Sequence, residues 1–251
     1  MADHPSEWLK AAPLVIAHRG ASAVAPENTL AAFELAADLG AEAVELDAKL
    51  TGDGEAVAFH DRTLERTTGE GGTPGSRSLA ELRLLDAGAW KSDAFRGARI
   101  PTLSEVLESV GRRLLVNIEL TDYWAEQGRL VERVVAVVRR QGMESRVLLS
   151  SFQSAALVAA QRIAPQIARA HLVGPTWLAI RDRFSLRRAE VQVVHPHESL
   201  VRPDRIAAIH EAGRRIHVYT VLDPETMRRF WRLGVDGLIS DLPDMARRAR
   251  D

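Results

Sequence analysis

Cysteine is missing from all 251 residues. Its absence excludes disulfides, thiolate metal sites and a cysteine nucleophile, and it suits a reducing compartment. An excess of one charge is missing too. Lys and Arg number 33 against 34 Asp and Glu, a formal net charge of −1. No global field therefore points to nucleic acid or to an anionic membrane. Nowhere do about 18 apolar residues run together, so no transmembrane helix is expected. The N-terminal stretch carries Asp3, His4, Glu7 and Lys10 and lacks a long apolar run, which argues against a secretory signal. The expectation is a cytoplasmic protein with no nucleic-acid partner and no integral membrane segment.

What is present is enough apolar sequence, 46%, for one sizeable core. Short β-branched runs alternate with longer helical patterns. Strands are expected at 14–18, 43–47, 114–120, 146–152, 168–173, 191–195, 216–221 and 237–241. Helices are expected at 29–39 with Asn28 as N-cap, through 131–135 to near Gly142, and at 154–163, 177–187 and 203–212. A further helix opens at Asp223-Pro224 and stops at Gly234. The run Arg247-Arg248-Ala249-Arg250 reads as a solvated last helical turn. Crossover helices return the chain to the same sheet edge, so the sheet is parallel. Eight such units in this length favour a closed (β/α)8 TIM barrel over an open sheet.

One segment departs from the rhythm. Residues 55–59 read as an extra strand, in a hairpin through the turn Gly52-Asp53-Gly54. From about 62 to 99 the pattern dissolves, with Gly69, Gly71, Gly72, Pro74 and Gly75 close together. The expected organisation is one barrel domain, 1–251, with an insertion at about 62–99 near the barrel mouth. A mobile surface loop is the alternative reading of that segment.

Period-two alternation then locates the polar residues. Glu45 and Asp47 share one face of their strand while Val44 and Leu46 share the other; Asn117 and Glu119 repeat the pattern opposite Val116, Ile118 and Leu120. With the apolar faces under the helices, three carboxylates point into one barrel end, the C-terminal mouth where barrel active sites lie. Three such groups repel one another. Some must take up protons, pair with Lys or Arg, or share a cation. All-oxygen ligation favours Mg²⁺ or Ca²⁺, with Mn²⁺ a third candidate, over Zn²⁺. His18, followed by Arg19, and His60, followed by Asp61, end strands that reach the same mouth. Histidine exchanges protons near neutral pH, so the two are candidate acid and base. Arg19 is a candidate bidentate phosphate ligand. Lys49, two residues beyond Asp47, falls on the carboxylate side by periodicity or projects past the strand end.

The series His18-Arg19-Gly20, Pro26-Glu27-Asn28-Thr29, Glu45-Leu46-Asp47, Gly54 and His60-Asp61 resembles the signature of the glycerophosphodiester phosphodiesterases. Pro101-Thr102-Leu103, Asn117-Ile118-Glu119, Ser150-Ser151-Phe152 and the stretch Gly234 to Asp241 extend it, with 168–215 the weakest part. The resemblance implies a (β/α)8 barrel with a small insertion after strand two. It implies a divalent cation on Glu45, Asp47 and Glu119, acid–base work by His18 and His60, and a phosphate contact from Arg19. The implied reaction cleaves a glycerophosphodiester to glycerol 3-phosphate and an alcohol. Three positions depart from the family pattern: Thr121 where a lysine is common, Tyr219 where a tryptophan is, and Leu222 where an asparagine often stands. Lysophospholipids are the alternative substrates, with Trp90, Phe95 and Trp124 placed to border the mouth. A silent barrel that only binds a phosphorylated ligand is the alternative of another class.

Overall fold

Eight parallel strands close on themselves: β1 (Leu14–His18), β2 (Ala43–Leu50), β4 (Leu115–Leu120), β5 (Val147–Ser151), β6 (Ala168–Val173), β7 (Val193–Pro196), β8 (Arg215–Val218) and β9 (Gly237–Ser240). Closure is explicit in the pairing, because β1 bonds β2 on one side and β9 on the other. A ninth strand, β3 (Ala56–Ala58), pairs antiparallel with the extended end of β2. The structure, a computed structural model, describes residues 6–10, 13–121, 127–175 and 189–251. The helix expected at 177–187 and Trp124 lie outside the described residues.

Two apolar layers hold the barrel. Inside it, Leu14, Ile16, Ala43, Leu115, Leu148, Ala168, Ala170, Val193 and Ile239 pack with Trp8, which is fully buried and donates its indole N–H to Arg146 O at 2.9 Å. Outside it, the opposite strand faces meet the helices. The helix Gln127–Gln141, for example, buries Leu130, Val131, Val134, Val135, Val137 and Val138 against them. Alternation therefore decides inside from outside on every strand. Among the described residues no helix is long and apolar enough to cross a membrane.

Several boundaries differ from expectation, each for a local reason. Strand β2 runs three residues further, to Leu50, because β3 offers it a partner there. Gly54, at φ 85°, supplies the left-handed residue the hairpin turn needs. Strand β8 stops at Val218, and Tyr219 makes only an isolated bridge to His197. The first helix is Leu30–Asp38, and Thr29, not Asn28, caps it, its hydroxyl accepting from Ala32 N at 3.3 Å. Arg250 is not a solvated terminal residue: it bonds Glu42 at 2.8 Å and Pro13 O at 2.9 Å.

The insertion is ordered. Leu64, Leu82, Leu85, Ala87 and Ile100 bury a small core of their own against Val57 and Phe59. Lys91 Nζ donates to Ser22 O at 2.7 Å and ties it to the loop after β1. A helix not anticipated from sequence, Leu103–Val110, follows it and returns the chain to β4.

Candidate active site

Strand register brings the acids together. Asp47 stands opposite Glu119, Glu45 opposite Asn117, and His18 opposite Glu45. The acids share the inward face with Ala43 and Leu115 and lie C-terminal to them along β2 and β4. One carboxylate oxygen from each of Glu45, Asp47 and Glu119 lies within 4.8 Å of the others. Glu45 and Asp47 are buried and Glu119 is half-buried.

Burial, mutual repulsion of the acids and the nearby Arg19 set the electrostatics. Burial, then Asp47 and Glu119, push the Glu45 carboxyl well above its ordinary range, and the nearby Arg19 does not offset them. Asp47 goes the other way. Burial raises it, but Arg19, then His60, the Asn28 hydrogen bond and His18 outweigh burial and hold it below the ordinary range. Glu45 Oε1 is buried without a protein partner among the described residues. Its Oε2 accepts from Arg19 N at 3.0 Å. An all-oxygen donor set with one orphaned, buried oxygen fits a hard divalent cation.

Asn28 serves here instead of at the helix end. Its Nδ2 donates to Asp47 Oδ2 at 2.9 Å, and Asp47 N donates to its Oδ1 at 3.2 Å. The turn that carries it needs close backbone approach. Gly20 sits at φ 82°, and a Cβ there would lie 2.6 Å from Ala32. Arg19 and Asn28 themselves are in the left-handed region, at φ 55° and 56°. Such backbone outliers collect where surrounding structure over-determines a functional side chain.

Each candidate histidine is paired with an aspartate. His18 Nδ1 lies 2.6 Å from Asp241 Oδ1, at the end of β9. His60 Nδ1 lies 2.7 Å from Asp61 Oδ1. The hairpin delivers His60 to the acids, because Phe59 N donates to Asp47 O at 2.8 Å. An N–H held at Nδ1 leaves Nε2 as the exchangeable ring position. His18 is one-fifth exposed and His60 two-fifths, so both can meet a substrate.

Arg19 Nη1 donates to Glu27 Oε1 at 3.0 Å. Its Nε lies 3.2 Å from Asp47 Oδ2 but is not aligned to donate, so that contact is ionic. Lys49 does not project away. Its Nζ donates to Thr121 Oγ1 at 3.2 Å, and Thr121 donates on to Ala48 O at 2.8 Å. Tyr219 is half-buried, its hydroxyl donating to Val173 O at 3.1 Å, and burial raises its pKa. Phe152, two-fifths exposed, meets it edge-on at 6.0 Å. Leu222 is exposed. Phe95 sits half-buried in a short turn of the insertion, and Trp90 stacks near Arg66 and Lys91.

Sequence reasoning missed Glu27, Arg66 and Asp241 as members of this site. Glu27 and Asp241 stood inside quoted motifs, and Arg66 carried no signal beyond being a charge in a glycine-rich stretch.

Residues 18–245 match the glycerophosphoryl diester phosphodiesterase family. A glycerophosphodiester phosphodiesterase of Caldanaerobacter subterraneus is 37% identical over 237 residues, which cover 92% of this chain and 95% of that one. A phosphodiesterase of Oleispira antarctica, solved in complex with the product sn-glycerol-3-phosphate, superposes with a TM-score of 0.87 at 34% identity, covering 95% of this chain and 96% of that one. The glycerophosphodiester phosphodiesterase of Agrobacterium tumefaciens gives 0.80 at 33% identity, with 93% and 98% covered. With its barrel, its acidic mouth and this likeness over nearly the whole length, the chain belongs to the glycerophosphoryl diester phosphodiesterase family and is an enzyme of the phosphoric diester hydrolase class.

Proposed function

We propose that the protein hydrolyses glycerophosphodiesters to glycerol 3-phosphate and an alcohol, with His18 and His60 moving protons and a divalent cation on Glu45, Asp47 and Glu119. The observation that carries this reading is the convergence of three acids, two His–Asp pairs and Arg19 on one mouth. A bound Mg²⁺, Ca²⁺ or Mn²⁺ supplies positive charge against the phosphate oxygens. The remaining work falls to side chains. Arg19 presents a guanidinium to the phosphate. One histidine takes a proton from the nucleophile as it bonds phosphorus: water, which gives glycerol 3-phosphate directly, or a neighbouring substrate hydroxyl, which gives a cyclic phosphate that water then opens. The other gives a proton to the departing alkoxide as its P–O bond breaks.

Lys49 belongs to the same reading. Its amine lies at the hydroxyl of Thr121, two residues past Glu119, and so brings a fixed cation to the strand end where the family pattern implies a lysine. Tyr219 and Thr121 are then candidate substrate contacts. The same reading takes 1–251 as one barrel domain, with its insertion at about 62–99, working in the cytoplasm; cell fractionation tests the location.

Lysophospholipids are the second reading, favoured by the exposed face of Phe152 beside Tyr219. Release of glycerol 3-phosphate from several glycerophosphodiesters, and of choline from lysophosphatidylcholine, separates the two. Chelation should abolish turnover, and one of the three cations should restore it. Full activity in excess EDTA after confirmed metal removal would sink the metal assignment. No turnover on any diester with any of the cations would leave a barrel that only binds phosphorylated ligands.

A further inference from the structure

Between barrel and insertion runs a line of paired charges centred on Arg66, which lies on the four-residue helix Glu65–Thr68. Its Nε donates to Asp61 Oδ2 at 2.6 Å and its Nη2 to Asp61 Oδ1 at 3.0 Å. Its other edge meets Glu27, with Nη1 donating to Oε2 at 2.7 Å and Nη2 to Oε1 at 2.8 Å. Two carboxylates thus fill both edges of one guanidinium, a geometry that fixes direction as well as adding strength. Each carboxylate also holds a second group. Asp61 holds the His60 ring at 2.7 Å, and Glu27 accepts from Arg19 at 3.0 Å.

Arg66 is held from the insertion side as well. The ring of Trp90 lies over its guanidinium at 5.6 Å, and the Trp90 indole is fixed by Ala87 O at 2.9 Å. Leu64, just before the helix, is fully buried in the cluster that contains Phe59, the neighbour of His60. Hydrogen bonding from Arg66 is the chief cause that holds the Asp61 carboxyl down at about 2, so it stays an acceptor for His60. An arginine serving only as a surface ion pair would contribute little to stability. Four bonds aimed at the partners of two site residues serve geometry instead.

We propose that Arg66 is a positioning residue: through Asp61 it orients the ring of His60 and through Glu27 the guanidinium of Arg19, so that the insertion sets the two groups relative to one another. The proposal rests on the reading of His60 and Arg19 as active-site groups given above. Without Arg66, Asp61 and Glu27 each lose two bonds and are free to turn, and the groups they hold turn with them. Misplacement of this kind costs on the order of 10–100-fold in rate.

The test uses the full chain with Arg66→Met, which removes the charge, Arg66→Lys, which keeps charge but not the two-edged fork, and Arg66→Ala. Arg66→Met should lower kcat about 10–100-fold, with Arg66→Lys recovering only part. Added guanidinium at millimolar concentration should partly rescue Arg66→Ala. Combining Arg66→Met with Asp61→Asn should cost less than the two separate losses multiplied. Nitrogen-15 NMR of the histidine rings gives a readout independent of turnover. His60 should show one tautomer, protonated at Nδ1, in the unsubstituted protein and an exchanging mixture in Arg66→Met. Unchanged kcat in a folded Arg66→Met, or an unchanged His60 ring spectrum, overturns the proposal; so does a lower Tm with kcat intact, which would make Arg66 a structural pin. If the unsubstituted protein turns over no diester, the reading of the site fails by itself, and the ring spectra still decide the positioning role.

Discussion

At the scale of single residues, the two histidines make the sharpest prediction. Each is anchored at Nδ1 by an aspartate and bears an exchangeable Nε2. Help from a general acid or base is typically worth about 10²–10⁴-fold. His18→Ala and His60→Ala should each lower kcat by that much or more, measured as glycerol 3-phosphate release under saturating substrate. Near-normal turnover in either variant removes that residue from the proton-transfer pair. Lys49→Ala tests the cation beside Thr121. It should lower kcat on the order of 10²-fold if the charge meets a phosphate oxygen in the transition state. Thr121→Lys placed on Lys49→Ala should recover part of the loss, and a silent Lys49→Ala would end the idea. Glu45, Asp47 and Glu119 were legible because period two assigns a face without knowledge of any partner. Asp241 was not, since it meets His18 across 223 positions of sequence. Asn28 misled for a related reason. A residue with cap chemistry stood one position from the true cap, and its side chain was needed by Asp47 nineteen residues away.

At the scale of elements, strand and helix alternation was readable because each unit carries its own apolar period. Strands β1 and β6 and the helix Ser154–Ile163 fall where the pattern puts them. The helix Leu103–Val110 escaped notice although its start is written locally. Thr102 and Glu105 form a capping box: Glu105 N donates to Thr102 Oγ1 at 3.2 Å and Thr102 N donates to Glu105 Oε2 at 2.8 Å. The glycine-rich stretch before it drew the eye to irregularity, and four-residue helices inside the insertion have too little length to show a period. Thr102→Ala removes the cap acceptor and should lower the unfolding free energy by about 0.5–2 kcal/mol in urea titration. Because Arg83 also bonds Glu105 at 2.5 Å, the same variant should loosen the insertion's attachment to this helix. An unchanged urea midpoint would mean that the cap is replaced by water at no cost.

At the scale of the molecule, closing the barrel places every second strand residue on a shared axis, and this creates an interior no single strand announces. Besides the acids this interior holds Asn117, Ser150, His195 and His217, all buried, each with a polar atom that has no protein partner among the described residues. His195 Nε2 and His217 Nδ1 lie 3.2 Å apart, and His217 packs 5.8 Å from the ring of Trp8. A histidine in an apolar strand reads from sequence as core or as ligand with equal right; only the ring of neighbours decides. Burial is the main cause that lowers both, His195 well below 6.5 and His217 to about 4. The folded protein therefore keeps them neutral where the unfolded chain would already be protonated. Their contribution to stability is fully present above about pH 6.5 and is lost as pH falls toward and through about 4. Each such histidine steepens the decline by up to about 1.4 kcal/mol per pH unit within that window. Urea unfolding measured from pH 7 to 4 should show this fall. His217→Gln, which cannot take up the proton, should flatten it over the same window even if it lowers stability at pH 7. An identical slope in the variant would assign the acid sensitivity to groups outside the barrel interior.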